Sequence, residues 1–218
     1  LVLGSPVVIF GGTFDPIHHG HLRTALEIKE HLQVDRVCLI PTGNPVHKRS
    51  TQASATQRLK MIEAALEVEP SLEVSDIEQH ADMDGYTIST VAHIRENIGA
   101  SHPLVTVMGM DSFLSLPSWN RWLDLLDYTH LLVVARPGYR CDFTGELKAY
   151  YDAHASESVD DLSRYSSGKI LIQELTPVDI SATSVRNIIK SGKSPRFLLP
   201  DSVWDFIKSE RLYGVIER

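Results

Sequence analysis

Apolar, β-branched runs alternate along this chain with helical patterns, and that alternation constrains the fold more than any other feature. Strand-like runs fall at 7–10, 36–40, 72–76, 104–108, 131–135 and 170–173. Helical patterns fall at 19–32, 55–68, 88–98, 119–127, 143–152, 183–191 and 201–209. Strands without polar alternation are buried on both faces, and helices between them mark a parallel sheet. The expected architecture is α/β, a doubly wound parallel sheet. Such sheets bind ligands outside the carboxyl ends of their strands, so the segments just after each strand are where chemistry is expected.

A chain of 218 residues fits one domain, 1–218, with 183–209 as a helical C-terminal part packed on one end of the sheet. Hydrophobic residues make up 43% and charged residues 22%, enough to build a core. The net charge of −7 argues against a nucleic-acid partner, although converging basic residues can still hold phosphates. Two cysteines, Cys38 and Cys141, do not make a disulfide framework, and Cys38 sits in an apolar run that predicts burial. No run approaches a membrane span, and the N-terminus shows no signal-peptide pattern, so the cytoplasm is expected. The first residue is Leu rather than Met, as in a trimmed or engineered chain. The serine-rich stretch 153–169 reads as a loop or mobile insertion. Self-association into a homo-oligomer stays open.

Gly11-Gly12-Thr13-Phe14-Asp15-Pro16-Ile17-His18-His19-Gly20-His21 follows the first apolar run and opens the first helical pattern. It reads as strand, tight glycine turn, helix. Asp15 is a candidate cap with Pro16 in a first-turn position. Unpaired N–H groups and the positive dipole end at a helix start suit phosphate. His18 and His21 lie three apart and share a helix face. The glycines as a plain turn, and the histidines as metal ligands, are the competing readings.

Further segments fall at the same edge. Pro41-Thr42-Gly43-Asn44-Pro45-Val46-His47-Lys48-Arg49 is either a solvated basic loop or a ligand edge. Arg58, opening a helix, reads as a surface or packing residue outside the site. Tyr86-Thr87 precedes a helix, with Thr87 as its cap. Gly109 permits close approach of a nucleotide, and Asp111 is suited to a ribose hydroxyl, a magnesium ion or a helix cap. Trp119 and Trp122, three apart, have the spacing of core residues. Ser181, Thr183 and Ser184 read as caps, which leaves Arg186 unexplained unless this helix start also binds phosphate.

The string at 11–21 resembles the signature of bacterial nicotinate mononucleotide adenylyltransferases, within the nucleotidyltransferases that carry His-x-Gly-His, here His18-His19-Gly20-His21. Gly109-Met110-Asp111-Ser112-Phe113, Arg136-Pro137-Gly138 and Ile180-Ser181-Ala182-Thr183-Ser184-Val185-Arg186 resemble further motifs of that family. Val46 stands where the family has a proline, and Ala182 where it has a serine. The resemblance implies a Rossmann-like nucleotidyltransferase fold and transfer of AMP from ATP to nicotinate mononucleotide, with magnesium carried on the ATP phosphates. It implies that His18, His21, Lys48 and Arg186 are catalytic cations or donors. It places ATP at Gly11, Gly12, Thr13, Phe14, His18, His21, Gly109, Asp111, Arg136, Ser181, Thr183 and Arg186. It places the mononucleotide at Lys48, Tyr86, Thr87, Asp111, Trp119 and Asn120, with Trp119 stacked on the pyridine ring. Rival readings are a sister adenylyltransferase with another acceptor, such as nicotinamide mononucleotide or phosphopantetheine, and a non-catalytic nucleotide sensor.

Overall fold

A computed structural model of the chain describes residues 4–43, 51–80, 83–135, 143–176 and 178–215. The order of elements is β1 (Val7–Gly12), α1 (His19–Leu32), β2 (Val37–Pro41), α2 (Ala55–Leu66), β3 (Leu72–Val74), α3 (Thr87–Ile98), β4 (Leu104–Gly109), α4 (Met110–Leu114), α5 (Leu125–Tyr128), β5 (His130–Ala135), α6 (Gly145–His154), α7 (Asp161–Arg164), β6 (Ile170–Glu174), α8 (Ala182–Lys190) and α9 (Asp201–Ser209). The strands form one six-stranded sheet in the order β3-β2-β1-β4-β5-β6. Every strand pair is parallel, and the register sets Phe10 beside Leu39 on one side and Val107 on the other.

Strand alternation divides the interior into two cores. Val8, Phe10, Val105, Val107 and Leu132 join Ile28, Met61, Val185, Ile189, Val203 and Ile207, so α1, α2, α8 and α9 belong to one core. Ile9, Ile40, Leu104, Met108, Leu131 and Val133 join Val91, Phe113, Leu125 and Leu147, so α3 to α6 belong to the other. Each such side chain fully removed from water contributes roughly 1.5–3 kcal/mol, which explains why the strands read as unbroken apolar runs.

Strand order reverses between β1 and β4, the position at which sheets of this kind open a ligand crevice. Gly11-Gly12 end β1, and Gly109 ends β4, on either side of it. No helix among the described residues is long and apolar enough to cross a membrane.

Three sequence expectations need correction. The helix expected at 119–127 is replaced by a single turn at Trp122–Asp124 followed by the short α5, because Arg121 takes a left-handed backbone with φ of 48°. The stretch 153–169 is a packed connection rather than a loose loop. Ser156 and Leu162 are buried, Ala155 bridges to Ile170, and α7 lies within it. The C-terminal helices cover a face of the sheet rather than an end, with the Ser202 hydroxyl donating to the Ala64 carbonyl of α2 at 2.8 Å. Cys38 is half-buried in β2, and burial pushes its thiol up to about 11, well away from thiolate chemistry.

Candidate active site

The start of α1 is built around two stacked imidazoles. His18 is the N-cap residue, with extended backbone and no side-chain cap hydrogen bond. Its ring lies 3.7 Å from that of His21 at an interplanar angle of 20°. Gly20 makes this possible, because a Cβ there would sit 3.0 Å from His18 Nδ1. Phe14, 2% exposed, meets His21 edge-on at 4.9 Å and takes a left-handed φ of 48°. A Cβ on Gly12 would reach 2.7 Å from the Phe14 ring, so that glycine is required by packing. Phe14 therefore supports His21 from beneath rather than facing a ligand.

Burial holds His18 down at about 4, with His19 adding to the effect, and burial holds His21 well below its ordinary value, with His18 adding to it. Burial thus favours the neutral form of both rings, which suits the donor half of their expected role as cations or donors. The Nδ1 atoms of both rings are buried and have no hydrogen-bond partner among the described residues. Buried polar atoms without partners are rare and point to a ligand or to stored strain.

Asp15 is not a helix cap. Its carboxylate is 5% exposed and accepts from Gln52 N at 2.9 Å, Ala53 N at 3.2 Å and Tyr213 Oη at 2.7 Å. Pro16 follows through a cis peptide and precedes α1, so the first-turn position expected for it is also wrong. Arg186, from α8, donates to the Asp15 carbonyl at 2.5 Å and to Thr183 Oγ1 at 3.1 Å. Thus a residue 171 positions away is joined to the β1–α1 turn. Ser181 caps α8, its hydroxyl accepting from Ser184 N at 3.1 Å.

Two cavities open at the carboxyl edge of the sheet. The larger, about 260 Å³, is lined by Thr24, Gly109, Asp111, Ala135, Val178 and Asp179 among others. The smaller, about 100 Å³, is lined by Gly11, Gly12, Thr42, Glu78, Thr87, Thr90, Ser112 and Trp119 among others. Thr24 of α1 lines the larger cavity, whereas neither His18 nor His21 lines either one. Gly20 approaches the Val178 carbonyl on the side of the larger cavity, and Gly12 touches the Phe14 ring on the side of the smaller.

The structure thus joins Thr87 and Trp119 in one cavity and puts Asp111 in the other. Gly11 and Gly12 line the smaller cavity, although the family resemblance assigns them to ATP. Tyr86, not Thr87, is the N-cap of α3, and Thr87 is its first helical residue. Trp122 is buried in the core, whereas Trp119 is only partly buried. Asn120 is exposed in the turn that follows. Lys48, Arg136 and their neighbours in 44–50 and 136–142 lie outside the described residues. Sequence reasoning missed Arg58 and Glu78. Of the surface and packing readings of Arg58 the packing one holds, since it is fully buried, but its carbonyl partners at Thr13, Thr42 and Gly43 left no trace in spacing. Among the described residues no group of three or more His, Cys, Asp or Glu converges as a metal cage.

A cytidylyltransferase-like family model matches residues 9–188, a span that begins in β1 and ends in α8. The fold and this match define the class, a nucleotidyltransferase of the cytidylyltransferase-like type. A probable nicotinate-nucleotide adenylyltransferase of Hahella chejuensis is 46% identical over 213 residues, covering 97% of each chain. Its counterpart in Aeromonas hydrophila is 42% identical over 212 residues, covering 97% of this chain and 99% of the relative. The chain belongs to the nicotinate-nucleotide adenylyltransferase family. In fold, it also matches a Plasmodium falciparum nicotinic acid mononucleotide adenylyltransferase complexed with NaAD, with a TM-score of 0.74 at 16% identity over 98% of this chain and 99% of that one.

Proposed function

We propose that this protein transfers the adenylyl group of ATP to nicotinate mononucleotide, giving deamido-NAD (nicotinate adenine dinucleotide) and pyrophosphate. Family membership supports the reaction. The observation that carries the mechanism is the buried, stacked His18–His21 pair at the start of α1, whose Nδ1 atoms have no partner among the described residues. ATP takes the larger cavity, with Gly109 and Asp111 at its nucleoside. The mononucleotide takes the smaller, with Trp119 against its pyridine ring. The acceptor 5′-phosphate, whose second pKa is roughly 6, is already a nucleophile near pH 7. Its oxygen bonds to the α-phosphorus of ATP while the bond to the bridging oxygen breaks, and that electron pair leaves with pyrophosphate.

No protein nucleophile is needed, so catalysis is positioning plus stabilisation of developing charge. Neutral imidazole N–H groups donate to the phosphate oxygens without repelling one another at 3.7 Å. Arg186 supplies a fixed cation at the same turn, and the family resemblance adds Lys48 and Arg136. Asp111 and Asp179, both exposed in the larger cavity, are hard oxygen donors that fit a magnesium ion arriving with the triphosphate. That ion neutralises phosphate charge when bound. A cytoplasmic site of action belongs to the same reading.

The α3 start favours the acid over the amide. Tyr86 puts no side-chain cap on it, which leaves first-turn N–H groups for an anion. Both oxygens of Glu78 are engaged, one by Gly43 N at 3.2 Å and one by the Thr90 hydroxyl at 2.9 Å. An amide offers one acceptor oxygen where a carboxylate offers two, and its NH₂ meets the second N–H donor to donor; unmade buried hydrogen bonds discriminate by about 10²-fold or more. Pyrophosphate release with ATP and a panel of pyridine mononucleotides tests the reading. We expect kcat/KM to favour nicotinate mononucleotide by that factor, Trp119→Ala to weaken both substrates, and changes at Thr87 to narrow the gap. Equal kcat/KM for acid and amide would refute the assignment and promote the amide-using sister enzyme, while absence of pyrophosphate release would promote the nucleotide sensor.

A further inference from the structure

Arg58 is a buried cation without a function in the scheme above. It lies in α2 with no exposed surface, where an apolar side chain would serve a core more cheaply, since a buried charge needs a specific compensating geometry. Its fork supplies that geometry. Nη1 donates to the Thr13 carbonyl at 2.8 Å, and Nη2 donates to the Thr42 and Gly43 carbonyls at 2.6 and 2.7 Å. Burial weakens its hold on the proton, and Asp15, Tyr213 and Glu78 nearby act in the opposite direction. The carbonyls belong to the carboxyl ends of two adjacent strands. Regular β1–β2 pairing stops at Gly12 beside Pro41, and the Thr42 N–H to Gly12 carbonyl bond of 2.9 Å follows it. Past that point Arg58 holds the two chains together.

The Thr42–Gly43 corner is gripped from its other side as well. Glu78 accepts from Gly43 N, and a Cβ at Gly43 would fall 2.0 Å from the Glu78 carbonyl oxygen. Gly12, Thr42 and Glu78 all line the smaller cavity, whereas no residue bonded by Arg58 lines the larger.

We propose that Arg58 is a positioning residue: it fixes the spacing between the Gly12-Thr13 turn and the Thr42–Gly43 corner, and so sets how the acceptor mononucleotide sits in the smaller cavity. This rests on assigning that cavity to the mononucleotide.

The test is the split between the two substrates. In the full-length enzyme, Arg58→Lys keeps the charge but replaces a planar fork with a single ammonium. A displacement of about 1 Å near the reacting groups can cost 10²-fold, so kcat/KM for nicotinate mononucleotide should fall by about that much. KM for ATP should stay within about twofold, because its cavity is untouched. Calorimetric titration with nicotinate mononucleotide alone should show the same weakening. Glu78→Ala releases the corner from the opposite side and should give the same split, which keeps the test open if Arg58→Lys does not fold. Parallel rises in both KM values would overturn the proposal, as would activity that tracks the folded fraction with both KM values unchanged. If the unmodified enzyme neither binds nor adenylylates nicotinate mononucleotide, the substrate reading itself has failed, and the assignment of Arg58 to acceptor placement falls with it.

Discussion

The starts of α1 and α8 face the same turn and are finished in opposite ways. At α1 the N-cap is His18, which makes no side-chain cap bond, and two buried imidazole nitrogens are left without protein partners. At α8 Ser181 closes the first turn, and Arg186 is already bonded to the Asp15 carbonyl and to Thr183. A satisfied helix start holds the fold in place, while an unsatisfied one is preorganised for something that arrives. On this comparison α1 offers the open side of the candidate site, while α8 pins the turn through Arg186, the cation proposed for the phosphates.

The largest expected effect separates the two directly. His18→Ala should lower turnover by about 10²–10³-fold, the usual result of removing one well-placed donor, with the protein still folded. Steady-state kinetics together with circular dichroism checks this. Near-normal turnover would end the distinction, and simple unfolding would make His18 a core residue.

Next is the pH dependence of stability. The folded pKa of His18, about 4, lies below its unfolded value of 6.5. As pH falls the unfolded chain therefore takes up the proton first, and stability rises with pH. The contribution is fully present above pH 6.5 and is lost as pH falls towards 4, amounting to about 3 kcal/mol. His130 behaves alike, held at about 4 chiefly by burial, with Nε2 against the Tyr165 carbonyl and Nδ1 accepting from Lys169 N. Urea unfolding at pH 7, 5.5 and 4.5 should show a shallower slope in His18→Ala and an unchanged slope in Arg186→Ala. Equal slopes in both would remove the α1-specific part of the comparison.

Arg186→Ala should cost about 1–3 kcal/mol of stability, because a buried carbonyl and the nearby Asp15 carboxylate lose a charged neighbour. His18→Ala makes no such hydrogen-bond loss. Thermal unfolding of the two variants at pH 7 measures the difference, and a silent Arg186→Ala would mean that α8 does not pin the turn. The smallest effect is Ser181→Ala, about 1 kcal/mol from the lost cap, with turnover much closer to normal than in His18→Ala. A turnover loss equal to that of His18→Ala would show that this hydroxyl serves the phosphates more than the helix.

Much of the site was legible because its signals are local. The glycine turn, the paired histidines and Gly20 each act within a few residues, so they appear in the sequence at fixed offsets. Asp15 shows the opposite case. Its place just before Pro16 suggested a cap, yet its partners are Gln52, Ala53 and Tyr213, which no local pattern connects to it. Arg58 could be read only as surface or packing for the same reason, since the three carbonyls that close around it come from elsewhere in the chain. The broken helix at 119–127 failed differently: its apolar spacing is real, but the left-handed Arg121 overrides it.

Sequence alone determined the layered α/β architecture, the edge of the sheet where the candidate site lies, and the family. Apolar periodicity and glycine turns are properties of neighbouring residues, so they need no partner from elsewhere. Only the tertiary structure decided the burial and stacking of His18 and His21, the division of the crevice into two cavities, and the bracing of the β1 and β2 ends by Arg58. Each of these depends on burial and on groups brought together from distant parts of the chain, and desolvation is a property of the packed interior rather than of any residue in the string.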